Sequence, residues 1–140
     1  WQDDRLVPIA AWIDARPLAA VAGDLDGDGV AELYVGTGPT TRQLLRLDPR
    51  TSDPSVRSPS PRLDGTVSDI LALALGDLDL DGRQELVVAA GPWRAYDLRV
   101  LRAEASGAPL RTVARRKLGV VHDVALVPLG DGPPLIAVAK

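Results

Sequence analysis

The 140-residue sequence contains no cysteine, no methionine, no phenylalanine and no asparagine, and a single histidine. Without cysteine there are no disulfides, no thiol nucleophile and no cysteine-type zinc site. Without asparagine there is no N-glycosylation acceptor. One histidine, His122, leaves little room for histidine-rich metal or triad chemistry. No apolar helical period lasts three turns, and 13 glycines and 12 prolines break the chain every few residues, which disfavours long helices. Sixteen basic residues against nineteen acidic ones leave a net charge of −3, a balance that speaks against a nucleic-acid surface. The chain is 46% hydrophobic and 25% charged, so it is neither a disordered segment nor a membrane insertion. Its length suits one domain with a real core.

What is present is a repeat. Ala22-Gly23-Asp24-Leu25-Asp26-Gly27-Asp28-Gly29 returns as Leu75-Gly76-Asp77-Leu78-Asp79-Leu80-Asp81-Gly82, 53 residues later. At the same offset Glu32-Leu33-Tyr34-Val35 answers Glu85-Leu86-Val87-Val88, Gly38-Pro39 answers Gly91-Pro92, and Leu45-Arg46-Leu47 answers Leu98-Arg99-Val100. A third, damaged copy runs from Val121 through Leu129-Gly130-Asp131-Gly132 to Val138, with its acidic loop cut short.

Within each unit the apolar runs are short. Leu18 to Ala22, Leu71 to Leu75 and Val124 to Val127 are continuous and bounded by turn residues, and they read as strands buried on both faces. Leu33 to Val35 and Leu86 to Ala89 are second strands; Leu44 to Leu47 and Tyr96 to Leu101 are third strands. A fourth is clear in Leu110 to Lys117 and weak around Val56. Four short strands per repeat predict an all-β chain of β-propeller blades, each a four-stranded antiparallel meander. The expected division is 1–14 as the end strand of a preceding blade (Leu6 to Trp12), 15–64 and 65–117 as blades with acidic loops, and 118–140 as the start of a third, degenerate blade. That makes an incomplete ring of two to three blades, whereas propellers close with about four to eight. Further blades of a longer chain, or other chains, are expected to complete it.

The chemistry lies in Asp24-x-Asp26-x-Asp28-Gly29-x-x-Glu32 and its copy Asp77-x-Asp79-x-Asp81-Gly82-x-x-Glu85. Carboxylates at alternate positions repel unless a cation sits among them, and calcium takes six to eight oxygens in tolerant geometry. Glycine at position six allows the sharp turn, and the carbonyls of Val30 and Arg83, at position seven, are natural backbone ligands. An EF-hand would need a glutamate at position twelve and flanking helices. Position twelve is Val35 or Val88, inside a predicted strand, so that reading fails twice. Eight of the nineteen acids belong to these loops; outside them basic residues outnumber acids, sixteen to eleven. The acidity is therefore mostly metal-site acidity.

These residues, with Gly36 after the first copy, resemble the FG-GAP or VCBS repeat of integrin α-subunit propellers and many secreted bacterial proteins. The absence of phenylalanine pulls the resemblance toward the VCBS type. Such a resemblance implies one calcium ion between the first two strands of each blade, hence two Ca²⁺ per chain. It assigns as ligands Asp24, Asp26, Asp28, Val30 and Glu32, and Asp77, Asp79, Asp81, Arg83 and Glu85. It also implies an extracellular or cell-surface setting and an integrin-like part in adhesion.

Elsewhere the signals are weaker. His122 beside Asp123 is expected to be a structural histidine at a strand start, since no nucleophilic serine is marked. Arg115-Arg116-Lys117 is expected to be a solvated strand end, and Pro49 to Pro61 an exposed loop. Meander geometry puts the acidic loops at one end and the second-to-third connections, with Arg42 and Trp93-Arg94, at the other. That second end could bind carbohydrate or protein, although packing between blades is the preferred role for Trp93. The expected function is therefore a non-catalytic, calcium-binding module that recognises a protein or carbohydrate or serves as a scaffold, its calcium mainly structural. The alternative is a propeller domain of a secreted polysaccharide-acting enzyme.

Overall fold

Runs of four to eight β-favouring residues, each closed by a glycine, aspartate or proline turn, fold as strands wherever they can be followed. A computed structural model describes residues 16–48, 50, 58–59, 68–92, 95–105 and 108–140. It contains β1 (Pro17–Gly23), β2 (Glu32–Thr37), β3 (Leu44–Leu47), β4 (Ser58–Pro59), β5 (Ile70–Gly76), β6 (Glu85–Ala90), β7 (Asp97–Arg102), β8 (Arg111–Lys117), β9 (Asp123–Leu129) and β10 (Gly132–Ala139). Among the described residues there is no helix, and so none long and apolar enough to cross a membrane. Over the described residues the chain is all-β, with every pairing antiparallel. Two sheets are meanders in chain order, β1-β2-β3-β4 and β5-β6-β7-β8, and a third is the hairpin β9-β10. The expected strands at Leu6 to Trp12 and around Val56 lie outside the described residues, as does Trp93-Arg94.

The sheets stack face to face, first on second and second on third. β1 packs on β5 and β5 on β9, with β2 also against β5 and β6 against β9. Leu25, Tyr34, Leu44, Ile70, Leu73, Leu86, Val88 and Leu101 fill the first interface. Ala72, Val87, Ala89, Leu98, Val121 and Val124 fill the second. The middle sheet is therefore covered twice, and all six residues of β6 are buried, which is why Leu86-Val87-Val88-Ala89 is an unbroken apolar run.

Close approach is made possible at glycines. A Cβ on Gly36 would lie 2.7 Å from the Ile70 Cβ and 3.0 Å from the Ile70 carbonyl oxygen of the next sheet. At the end of β5, a Cβ on Gly76 would meet the Leu126 side chain.

Two expectations are corrected. Of the three runs read as buried on both faces, the one in β5 has no exposed residue, but most residues of β1 and β9 are exposed or half-buried. Leu18, Val127 and Leu129 stand 46%, 41% and 49% exposed, because among the described residues each outer sheet has a neighbour on one side. The three sheets form no closed ring among the described residues. The repeat also slips in the third strands. Tyr34 pairs with Arg46, but its counterpart Val87 pairs with Val100, so Arg99 is not the structural partner of Arg46. A one-residue slip turns every side chain to the other face. Arg99 accordingly lies opposite Val88, fully buried on Asp97, with Nε donating to Oδ1 at 2.8 Å.

Candidate metal centres

Each acidic loop joins the first two strands of a meander and is wound round its first aspartate. In the β1–β2 loop Asp24 Oδ1 accepts from the amides of Gly27 (2.7 Å) and Asp28 (3.1 Å), and Oδ2 from Gly29 (2.8 Å). Gly27 and Gly29 sit at φ of 72° and 85°, a region open to glycine without steric cost. The β5–β6 loop repeats the pattern, with Asp77 accepting from Asp81 (3.1 Å) and Gly82 (2.9 Å). Leu80, where the first copy has Gly27, is forced to φ 62°, and strain is the result.

This winding gathers three carboxylates in each loop. Asp24, Asp26 and Glu32 each offer an oxygen within 4.8 Å of the others, and so do Asp77, Asp79 and Glu85. Ligands on opposite sides of a calcium ion, each about 2.3–2.6 Å from it, stand roughly that far apart. The donors are all hard carboxylate oxygens, so the residues present fit a hard divalent cation. The glutamates are the most deeply set members, 0% and 1% exposed. Being the first residues of β2 and β6, they are held from the sheet side.

Asp28 and Asp81 are not drawn into the triads. Asp28 Oδ1 accepts from the Val30 amide (2.9 Å) and its Oδ2 pairs with Arg50 (2.6 Å). Asp81 Oδ1 accepts from the Arg83 amide (2.9 Å), with Arg102 3.4 Å from its other oxygen. Val30 and Arg83 are thus placed at the turn into the second strand by their amides. The third copy has no triad: β9 and β10 close through the two-residue turn Gly130-Asp131, with Gly130 at φ 56°. Pro133 and Pro134 lie in β10, where the register shifts, rather than in the turn.

Two arginines that sequence reasoning missed enter the loops. Arg46 of β3 bonds Asp26 and, at 2.6 Å, Glu32. Arg102 of β7 bonds Asp79 and, through Nε at 2.8 Å, Glu85. Burial alone would lower the Arg46 pKa, but its hydrogen bonds to Glu32 and Asp26 outweigh that and raise it. Bonds to Asp79 and Glu85 raise that of Arg102, and Arg102 in turn holds Asp79 below the usual carboxylate range. The buried Tyr34 hydroxyl donates to Glu32 at 3.0 Å. Burial first, and then the Glu32 charge, push its pKa up. The available signal was an arginine near the end of each third strand, obscured because the repeat offset aligns Arg46 with Arg99.

At the other end of the sheets Arg42 reaches Asp69 of the next sheet at 3.0 Å. Arg115, in an exposed β8, bonds the buried Asp97. His122 is exposed just before β9, its amide donating to the Ala139 carbonyl at 2.8 Å. Compared with models of known protein families and with curated proteins, the chain matches none.

Proposed function

We propose that this chain is a calcium-binding segment of a β-propeller, each meander being one blade, and that it works as a non-catalytic recognition or scaffolding module at the cell exterior. The observation that carries this reading is the same carboxylate triad built twice, Asp24-Asp26-Glu32 and Asp77-Asp79-Glu85, at equivalent loops of two successive meanders. Two meanders in chain order, stacked through their first strands, support the blade assignment. The exposed apolar residues of β9 and β10 support completion by further blades, since such faces are costly to leave in water.

In each loop the triad would hold the cation, with Asp28 or Asp81 and the carbonyl of Val30 or Arg83 completing the shell. Bound there, calcium supplies positive charge that relieves carboxylate repulsion and ties the first two strands together. Its role is structural, and the protein or carbohydrate ligand belongs to other surfaces. Calcium loops outside the EF-hand frame bind well where calcium is plentiful, hence the extracellular setting. Native mass spectrometry with calorimetry tests the reading. Two calcium ions are expected per chain, one lost in Asp26→Ala and the other in Asp79→Ala, with Asp131→Ala unchanged. No bound calcium at millimolar supply overturns it.

A further inference from the structure

We propose that Arg46 and Arg102 are resident counter-cations of the two loops. Each guanidinium occupies its triad when no divalent cation is present and must withdraw when one binds. The proposal rests on reading the triads as divalent-cation sites.

Both arginines take the same two members of their triads, the second aspartate and the glutamate: Asp26 and Glu32 for Arg46, Asp79 and Glu85 for Arg102. They do so from different places. Arg46 pairs across the sheet with Tyr34, whereas the residue opposite Glu85, next beyond the Leu86–Leu101 pair, is Arg102. The repeat does not hand the same arginine to both loops. The shared feature is electrostatic: three converging carboxylates take up the nearest cation. Both oxygens of each glutamate are already used, Glu32 by Arg46 and the Tyr34 hydroxyl, Glu85 by Arg102 and the Leu78 amide (2.8 Å). A divalent ion reaching these oxygens would sit against a guanidinium of like charge, and the two repel strongly at such range.

The grip is unequal. The two glutamates are equally buried, but in the first loop Asp26 is 2% exposed and Arg46 17%, whereas in the second Asp79 is 52% exposed and Arg102 26%. Buried pairs are screened less than exposed ones, so Arg46 leaves at greater cost. The second loop therefore fills first.

A calcium titration of the whole chain tests this, with Asp26→Ala and Asp79→Ala used to assign each loop. An arginine that occupies its triad nine-tenths of the time weakens apparent affinity about tenfold. Arg102→Gln should therefore tighten the second loop about tenfold, and Arg46→Gln should tighten the first by more. Arg111→Gln removes the same charge from the residue paired with Arg102 on β8 and should change neither. Equal or weaker binding in Arg46→Gln and Arg102→Gln overturns the displacement, and so does an equal gain in Arg111→Gln. If Arg46→Gln fails to fold, the guanidinium N–H resonances of the unaltered protein decide. They should shift on saturation with calcium, and unchanged resonances overturn the proposal. Absence of calcium binding in every variant instead removes the metal reading itself, and the displacement with it.

Discussion

Asp24→Ala separates two roles of one carboxylate. Asp24 accepts three backbone N–H bonds, from Gly27, Asp28 and Gly29, and belongs to the first triad. Hydrogen bonds to a charged acceptor contribute about 1.5–3 kcal/mol each when well shielded. Two of these three are exposed, where water replaces much of what is lost, and bonds sharing one acceptor do not add. A loss of about 2 kcal/mol is therefore expected in a calcium-chelating buffer. For a chain of this size that corresponds to a fall in Tm of roughly 8 °C. Calcium at about a hundredfold over its Kd should stabilise the unaltered protein by ~2.7 kcal/mol per independent site. The variant keeps only the second site, so the gap should widen to about 5 kcal/mol. Urea unfolding followed by tryptophan fluorescence, with and without calcium, measures both numbers. A variant as stable as the unaltered protein in chelator would refute the loop-building role. A gap that calcium leaves unchanged would refute the metal role.

Further outcomes follow from the same structure. Gly36→Ala should destabilise by about 1–3 kcal/mol, the usual cost of overpacking, because Ile70 would meet the new methyl through its Cβ and carbonyl oxygen, which no rotamer change removes. Gly76→Ala meets only a rotatable tip of Leu126 and should lose less; the reverse order of urea midpoints would refute the close approach of the first two sheets. Leu80→Gly relieves a left-handed leucine and should stabilise by about 0.5–1 kcal/mol once the extra freedom of glycine in the unfolded chain is subtracted; a lower Tm in chelator would count against the strain. The Asp48 carboxyl, bonded by Arg50, is held down to about 2 from an ordinary 3.8. With the folded value depressed, the pair's small contribution is complete above about pH 4 and fades as pH falls toward 2. Carboxyl NMR should show that low midpoint and its return toward 3.8 in Arg50→Gln; a midpoint near 3.8 in the unaltered protein would refute the pairing.

The strand order and both acidic loops were legible in the sequence. Short continuous apolar runs mark the strands, and Gly-Asp turns punctuate them. Two copies of one pattern also fix the same local winding twice, as the parallel roles of Asp24 and Asp77 show. The membership of each triad was only partly legible. All the acids were visible, but the spacing alone did not separate Asp26 and Glu32 from Asp28, which turns toward Arg50 and the Val30 amide. A carboxylate's direction depends on the donors around it, and for Asp28 these are an amide of its own loop and an arginine beyond β3.

What the sequence determined by itself is therefore the all-β class, the meander order and the place of two acidic loops, because each follows from contacts between residues close along the chain. Only the tertiary structure decided which arginines enter those loops and which strand faces are covered. Arg46 reaches Glu32 from across the sheet, and Arg102 reaches Glu85 through a register one residue out of step with the repeat. Register is set by how a strand fits its neighbours. Burial, likewise, is set by whether another sheet lies on each side, which is why β6 is closed on both faces and β9 is not.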